Sequence, residues 1–79
     1  MKNAEKVLNL LEALIGLEYN EEEVLNKFEG YEEIETTDDL CIGGALENGV
    51  INIYSRLDIY STNFSLELVD GVIDGAYAE

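Results

Sequence analysis

The sequence contains no histidine and no proline, a single cysteine and only four basic residues. Each scarcity removes a class of chemistry. Without histidine there is no imidazole to serve as general base, to complete a nucleophile triad or to ligate a metal. One cysteine forms neither an intrachain disulfide nor a structural zinc site. Cys41 lies in the apolar run Leu40-Cys41-Ile42, which reads as a small buried hydrophobe in a reducing, intracellular setting. The lysines are confined to the first half, so no Gly-x-x-x-x-Gly-Lys phosphate loop exists. Gly71 and Gly75 lack both the spacing and the following helix of a dinucleotide-binding turn. No uncharged apolar stretch approaches the length of a membrane span. The N-terminus opens on a helical pattern, with no basic region leading into an apolar one. A cytoplasmic location is the expectation.

Carboxylates are the chemistry that remains. Any two of eighteen acids could be imagined as a glycosidase pair, so the pattern points to no particular pair and no enzyme is expected. Thr37-Asp38-Asp39 and the run from Asp70 to Gly75 cluster oxygen ligands. Neither fits an EF-hand loop, which needs oxygens at positions 1, 3 and 5, Gly at 6 and Glu at 12. Both read as turns, and neither a metal nor a cofactor is expected.

What is present in excess is negative charge. The eighteen acids face Lys2, Lys6, Lys27 and Arg56, for a formal net charge of −14 in 79 residues. Solubility of a small domain needs a magnitude of only about 2–8, and the surplus costs stability through self-repulsion. DNA, RNA and anionic membranes are poor partners for such a surface. A basic protein is a good one.

The length fits a single domain over 1–79, with a helical part at 1–30 and an antiparallel sheet at 40–79. Over 4–18, Val7, Leu8, Leu11, Leu14 and Ile15 recur at helical spacing, and Leu10 and Leu17 widen the face to about half the circumference. Asn3 suits the N-cap. A second helix starts at Asn20, with Glu21, Glu22 and Glu23 where the helix dipole favours anions. Tyr19 and Val24 occupy staple positions, and Glu23 the third position of a capping box. Val24, Leu25 and Phe28 form its buried face, and Gly30 ends it. Residues 31–39 read as an acidic linker with a short strand near Ile34.

Beyond it, Leu40–Leu46 reads as a strand with a bulge or close approach at Gly43-Gly44. Asn48-Gly49 is a type I′ turn signal. Val50–Tyr60 reads as a strand broken near Arg56, and Ser61-Thr62-Asn63 as a turn. Phe64, Leu66 and Leu68 alternate with Ser65 and Glu67 in a half-buried strand. Asp70-Gly71 is a second type I′ signal before a last strand, Val72–Ala78. The expected class is α+β, with two N-terminal helices packed on one face of a three- to four-stranded antiparallel β-meander. The five tyrosines (Tyr19, Tyr31, Tyr54, Tyr60 and Tyr77) suit sheet packing first and interface contacts second.

The acids are unevenly spread. Glu18, Glu21, Glu22, Glu23, Glu29, Glu32, Glu33, Glu35, Asp38 and Asp39 crowd residues 18–39, opposed only by Lys27. All of them except Glu23 are the candidate partner-binding residues. The segment is interleaved with caps, Phe28 and Ile34, which argues for order and so for fixed spacing. Glu22 and Glu29, and likewise Glu5 and Glu12, are seven residues apart, about 10 Å along a helix. Rows of anions at fixed spacing imitate duplex phosphates, about one charge per 1.7 Å of axis.

In size, acidity, lack of histidine and α+β plan, the chain resembles the small acidic phage-encoded inhibitors, which include many anti-CRISPR proteins and other DNA mimics. No motif is shared, so no residue role is carried over. The resemblance implies an inhibitor that occupies the nucleic-acid site of a basic protein such as a nuclease or CRISPR effector. The competing reading is a structural or adaptor module, homodimeric in one version. It would use the wide apolar arc of the first helix and open strand edges.

Overall fold

The computed structural model describes residues 2–44, 48–56 and 62–78. It is an α+β fold in which two helices precede a four-stranded antiparallel sheet of order β1-β2-β3-β4.

Helix α1 spans Ala4–Glu12, with the Asn3 side chain accepting the Lys6 amide at 3.0 Å. It is shorter than the periodicity of 4–18 predicts. Past Ala13 the chain winds through single turns to Gly16, whose φ of +96° reverses it. Val7, Leu11 and Leu14 are buried, whereas Ile15 and Leu17 are 44% and 55% exposed. The wide arc therefore does not form on one helix, because its last members sit beyond the helix end.

Helix α2 spans Glu21–Asn26, and the Asn20 side chain accepts the Glu23 amide at 3.1 Å. Tighter turns carry the chain on to Gly30 at φ +81°. Val24 and Phe28 are fully buried, and Leu25 and Tyr19 pack against the same core. Lys2 then bridges Tyr31, through Lys2 N–H to Gly30 C=O and Glu32 N–H to Lys2 C=O, both 2.9 Å.

Residues 31–39 hold no strand at Ile34. Tyr31 and Ile34 are buried, and a 3₁₀ turn covers Thr37–Asp39. A capping box closes that turn: the Thr36 hydroxyl accepts the Asp38 amide, and the Asp39 carboxylate accepts the Thr36 amide. This is the Ser/Thr-x-x-acid spacing, with Asp in place of Glu.

The strands are β1 (Leu40–Gly44), β2 (Gly49–Ser55), β3 (Phe64–Val69) and β4 (Val72–Ala78). The predicted extension of β1 to Leu46 lies outside the described residues, as does Tyr60. The β1–β2 ladder ends at Gly44↔Ile51, before Asn48-Gly49, and Gly49 already pairs with Leu68. At Gly44 (φ +129°) a Cβ would collide with the Val50 carbonyl oxygen, so the strands meet there at a distance only glycine allows. Strand β2 ends at Ser55, next to the expected break at Arg56. Asp70 (φ 52°) and Gly71 (φ 80°) turn β3 into β4, joining the pair Val69↔Val72 as a type I′ signal should. A register shift beside Glu67/Leu68 leaves Asp74 as an extra residue in β4.

Alternation sorts the sheet. Ile51, Ile53, Phe64, Leu66, Leu68 and Ile73 join the helix residues in one buried cluster. Phe28, Tyr31 and Phe64 meet edge to face at its centre, 5.1–5.9 Å between centroids. Residues of the other parity face outward, so Val50, Tyr54, Val69 and Tyr77 are exposed. Cys41 shares that parity. Contrary to the reading of it as a buried hydrophobe, it is partly exposed and accepts Arg56 Nε–H at 2.9 Å. The edge of β4 is covered by residues 16–19, through Gly16 N–H to Ile73 C=O, Ile73 N–H to Leu17 C=O and Tyr19 N–H to Gly71 C=O. Among the described residues no helix is long and apolar enough to cross a membrane.

Candidate functional site: the acidic segment

The candidate carboxylates divide into two groups. Glu18, Glu21, Glu22, Glu29, Glu32, Glu35 and Asp38 are exposed, and no side-chain hydrogen bond or ion pair engages them among the described residues. Each stands on ordered backbone. Glu18 is bridged to Val72. Glu21 and Glu22 open α2. Glu29 lies in the turn leaving α2, Glu32 and Glu35 flank buried Ile34, and Asp38 sits in the 3₁₀ turn. Among the described residues these charges therefore have no ionic partner, and the backbone that bears them is ordered.

Glu33 and Asp39 belong to the scaffold. Glu33 is half-buried and accepts the Thr62 amide at 3.0 Å, tying the loop after α2 to the approach of β3. Asp39 Oδ2 accepts the amides of Glu35 and Thr36 at 3.2 and 3.1 Å. A carboxylate that satisfies backbone N–H groups is held by the fold. Both residues are displaced from the freely presented set. The signal for Asp39 was legible as the Thr36-x-x-Asp39 spacing. That for Glu33 was not, because Thr62 is distant in sequence.

One of the two anion rows differs from expectation. Glu5 and Glu12 both lie on α1 and are exposed, so their seven-residue spacing corresponds to about 10 Å of helix. Glu22 and Glu29 do not share a helix, since α2 ends at Asn26 and the following amides bond three residues back. Glu23 is the one acid of the segment with an ionic partner among the described residues, Lys27 Nζ at 4.0 Å, an i,i+4 pair. An exposed pair of this kind contributes only about 0.3–0.5 kcal/mol.

Two concavities adjoin these acids. One, of about 270 Å³, is lined by Asn26, Phe28, Glu29, Ile34, Glu35 and Thr36 among others. The other, of about 290 Å³, is lined by Tyr19, Glu21, Ile42, Gly43 and Gly44. Tyr19 has its phenol pKa raised by burial first and by Glu21 second. Among the described residues no three His, Cys, Asp or Glu side chains cluster as a metal site would require. Compared with protein-family models, with curated proteins and with solved structures, the chain matches none.

Proposed function

We propose that this protein is a non-catalytic inhibitor that binds a basic nucleic-acid-binding protein and blocks its nucleic-acid site by charge mimicry. One observation carries the reading. Seven carboxylates (Glu18, Glu21, Glu22, Glu29, Glu32, Glu35 and Asp38) are exposed on ordered backbone, with no cation committed to them among the described residues. A groove lined by Lys and Arg for phosphates would accept such a surface, and the complex would gain on-rate from steering. The accompanying view of the fold has α1 and α2 on the sheet face that bears Ile51, Ile53, Leu66 and Leu68. The acidic segment then occupies the helical side of the molecule.

The test is competition with duplex DNA for a basic nuclease, read at rising salt. The inhibitor should lose affinity steeply, by about 10³-fold or more between 50 and 200 mM if it replaces several phosphate contacts. Charge reversal by Glu22→Lys with Glu29→Lys should abolish competition. Binding that is indifferent to salt up to molar levels sinks the proposal. The adaptor reading keeps one observation of its own, the exposed Val50, Tyr54, Val69 and Tyr77 on the outer sheet face. It requires that the same charge reversals leave binding intact.

A further inference from the structure

The two edges of the sheet are treated differently. Residues 16–19 cover β4 with backbone hydrogen bonds. The outer edge of β1 has no strand beside it among the described residues. Open edges usually carry a lysine, a proline, a bulge or a covering loop to prevent pairing. Strand β1 reads Leu40-Cys41-Ile42-Gly43-Gly44 and shows no lysine, proline or bulge.

The hydrogen-bond phase of this edge follows from its continuation. Arg56 N–H donates to Asp39 C=O at 2.8 Å, so the pair 39/56 is a bonded one. Antiparallel pairs alternate. Cys41/Tyr54 and Gly43/Asn52 are then bonded pairs, whereas Leu40, Ile42 and Gly44 turn their backbone groups to the free edge. The Leu40 amide is already taken by Thr37 C=O. Ile42 and Gly44 remain, and among the described residues no neighbouring strand takes up their outward N–H and C=O groups.

The groove of about 290 Å³ lies beside these same residues, with Tyr19 and Glu21 as its other wall. Gly43 has open space where a side chain would begin, so a backbone can approach closely. Ile42 supplies an apolar floor, Tyr19 an aromatic wall and Glu21 an anion with no ion-pair partner among the described residues. A lysine or arginine fits that combination, with its stem along Ile42 and Tyr19 and its charged head at Glu21. We infer that the β1 edge, with the groove of Tyr19, Glu21, Ile42, Gly43 and Gly44, receives an extended, lysine- or arginine-bearing segment of the basic partner as a fifth strand. Backbone hydrogen bonds would supply affinity and the groove would supply selectivity. The inference rests on the proposed function for the partner's basic character. A second copy of this chain suits the edge poorly, since each copy carries a net charge of −14.

The probe is a peptide of about seven residues alternating lysine with threonine and valine, enough at ~3.3 Å per residue to span β1. Its control is the same peptide with alternate backbone nitrogens methylated, which keeps the charge and removes the edge hydrogen bonds. The unmodified peptide should bind at low salt, slow exchange of the Ile42 amide and lose about tenfold in affinity on methylation, as expected for one or two hydrogen bonds. Glu21→Gln should weaken it without changing which amides are protected. Equal binding of both peptides, weakened by Glu22→Lys with Glu29→Lys, would overturn the edge inference and leave the charge-mimicry reading standing. No binding of either peptide overturns it as well. So does a doubled mass in light scattering with Ile42 protected before any peptide is added, which would assign the edge to a second copy.

Discussion

Tyr31 shows how a single residue ties the core to the acidic surface. Its ring is 1% exposed between Phe28 and Phe64, and its hydroxyl is buried with no hydrogen-bond partner among the described residues. Burial first, and then the neighbouring Glu33 carboxylate, holds its phenol pKa well above the ordinary value. The raised folded-state value means that the neutral phenol favours the fold. That contribution is full below pH 10, the unfolded value, and is lost as pH rises through the folded one. Urea melts across pH 9–12 should show stability falling, and Tyr31→Phe should flatten the fall. At neutral pH the same substitution removes a buried hydroxyl together with its interaction with Glu33, two effects of opposite sign, so stability should change by less than about 1 kcal/mol. Asp39 makes a second test at this scale. Asp39→Ala removes the acceptor of two amides and should cost about 1 kcal/mol, as loss of a helix cap does. Glu35→Gln, whose carboxylate no hydrogen bond or ion pair engages among the described residues, should leave stability within about 0.5 kcal/mol. The pair distinguishes acids that build the segment from acids it presents.

Individual elements were legible where their determinants are local. Asn3 and Asn20 cap the helices that their positions predict, because a side-chain oxygen three residues from an amide is a property of one four-residue stretch. Phe64, Leu66 and Leu68 are buried as their alternation requires. Helix α1 is shorter than its apolar spacing predicts, because that spacing continues past the point where the chain stops being helical. Leu14 stays buried in a single turn, but Gly16 then redirects the chain so that Gly16 and Leu17 bond to Ile73 at the β4 edge. The glycines offer a graded test of element geometry. Gly71→Ala at φ +80°, with nothing within 4 Å of the new carbon, should cost about 1 kcal/mol, the left-handed penalty alone. Gly44→Ala adds a collision with the Val50 carbonyl and with Ile51 Cα. It should cost more, because overpacking alone adds about 1–3 kcal/mol. Thermal melts of the two variants check the order.

For the whole molecule the governing quantity is a net charge of −14 on a chain with one ion pair among its described residues. Self-repulsion of that size opposes the compact state and is screened over about 10 Å at 0.1 M salt. The melting temperature should therefore rise between about 0.02 and 0.5 M sodium chloride, measured by circular dichroism. A flat or falling series would mean that the charges are too dispersed to repel, and would weaken the mimicry reading with it. On the proposed function, partner affinity should move the opposite way over the same range, since the charges that destabilise the free protein would be those that attract a basic partner.

By itself the sequence determined what depends on composition and short range. It excluded imidazole chemistry and phosphate-loop binding, set the sign of the protein's own net charge, placed the helix caps and alternating strands, and concentrated the acids in residues 18–39. Which of those acids are free was decided by tertiary structure. Glu33 is held by Thr62, far along the chain, and the spacing of Glu22 from Glu29 depends on where α2 stops. Tertiary structure also decided that one sheet edge is covered by residues 16–19 while the other, beside Glu21, has no strand next to it among the described residues. The physical reason is the same in each case. Caps and alternation are set by residues a few positions apart, whereas a backbone or carboxylate group is committed or left free only when distant segments fold against it.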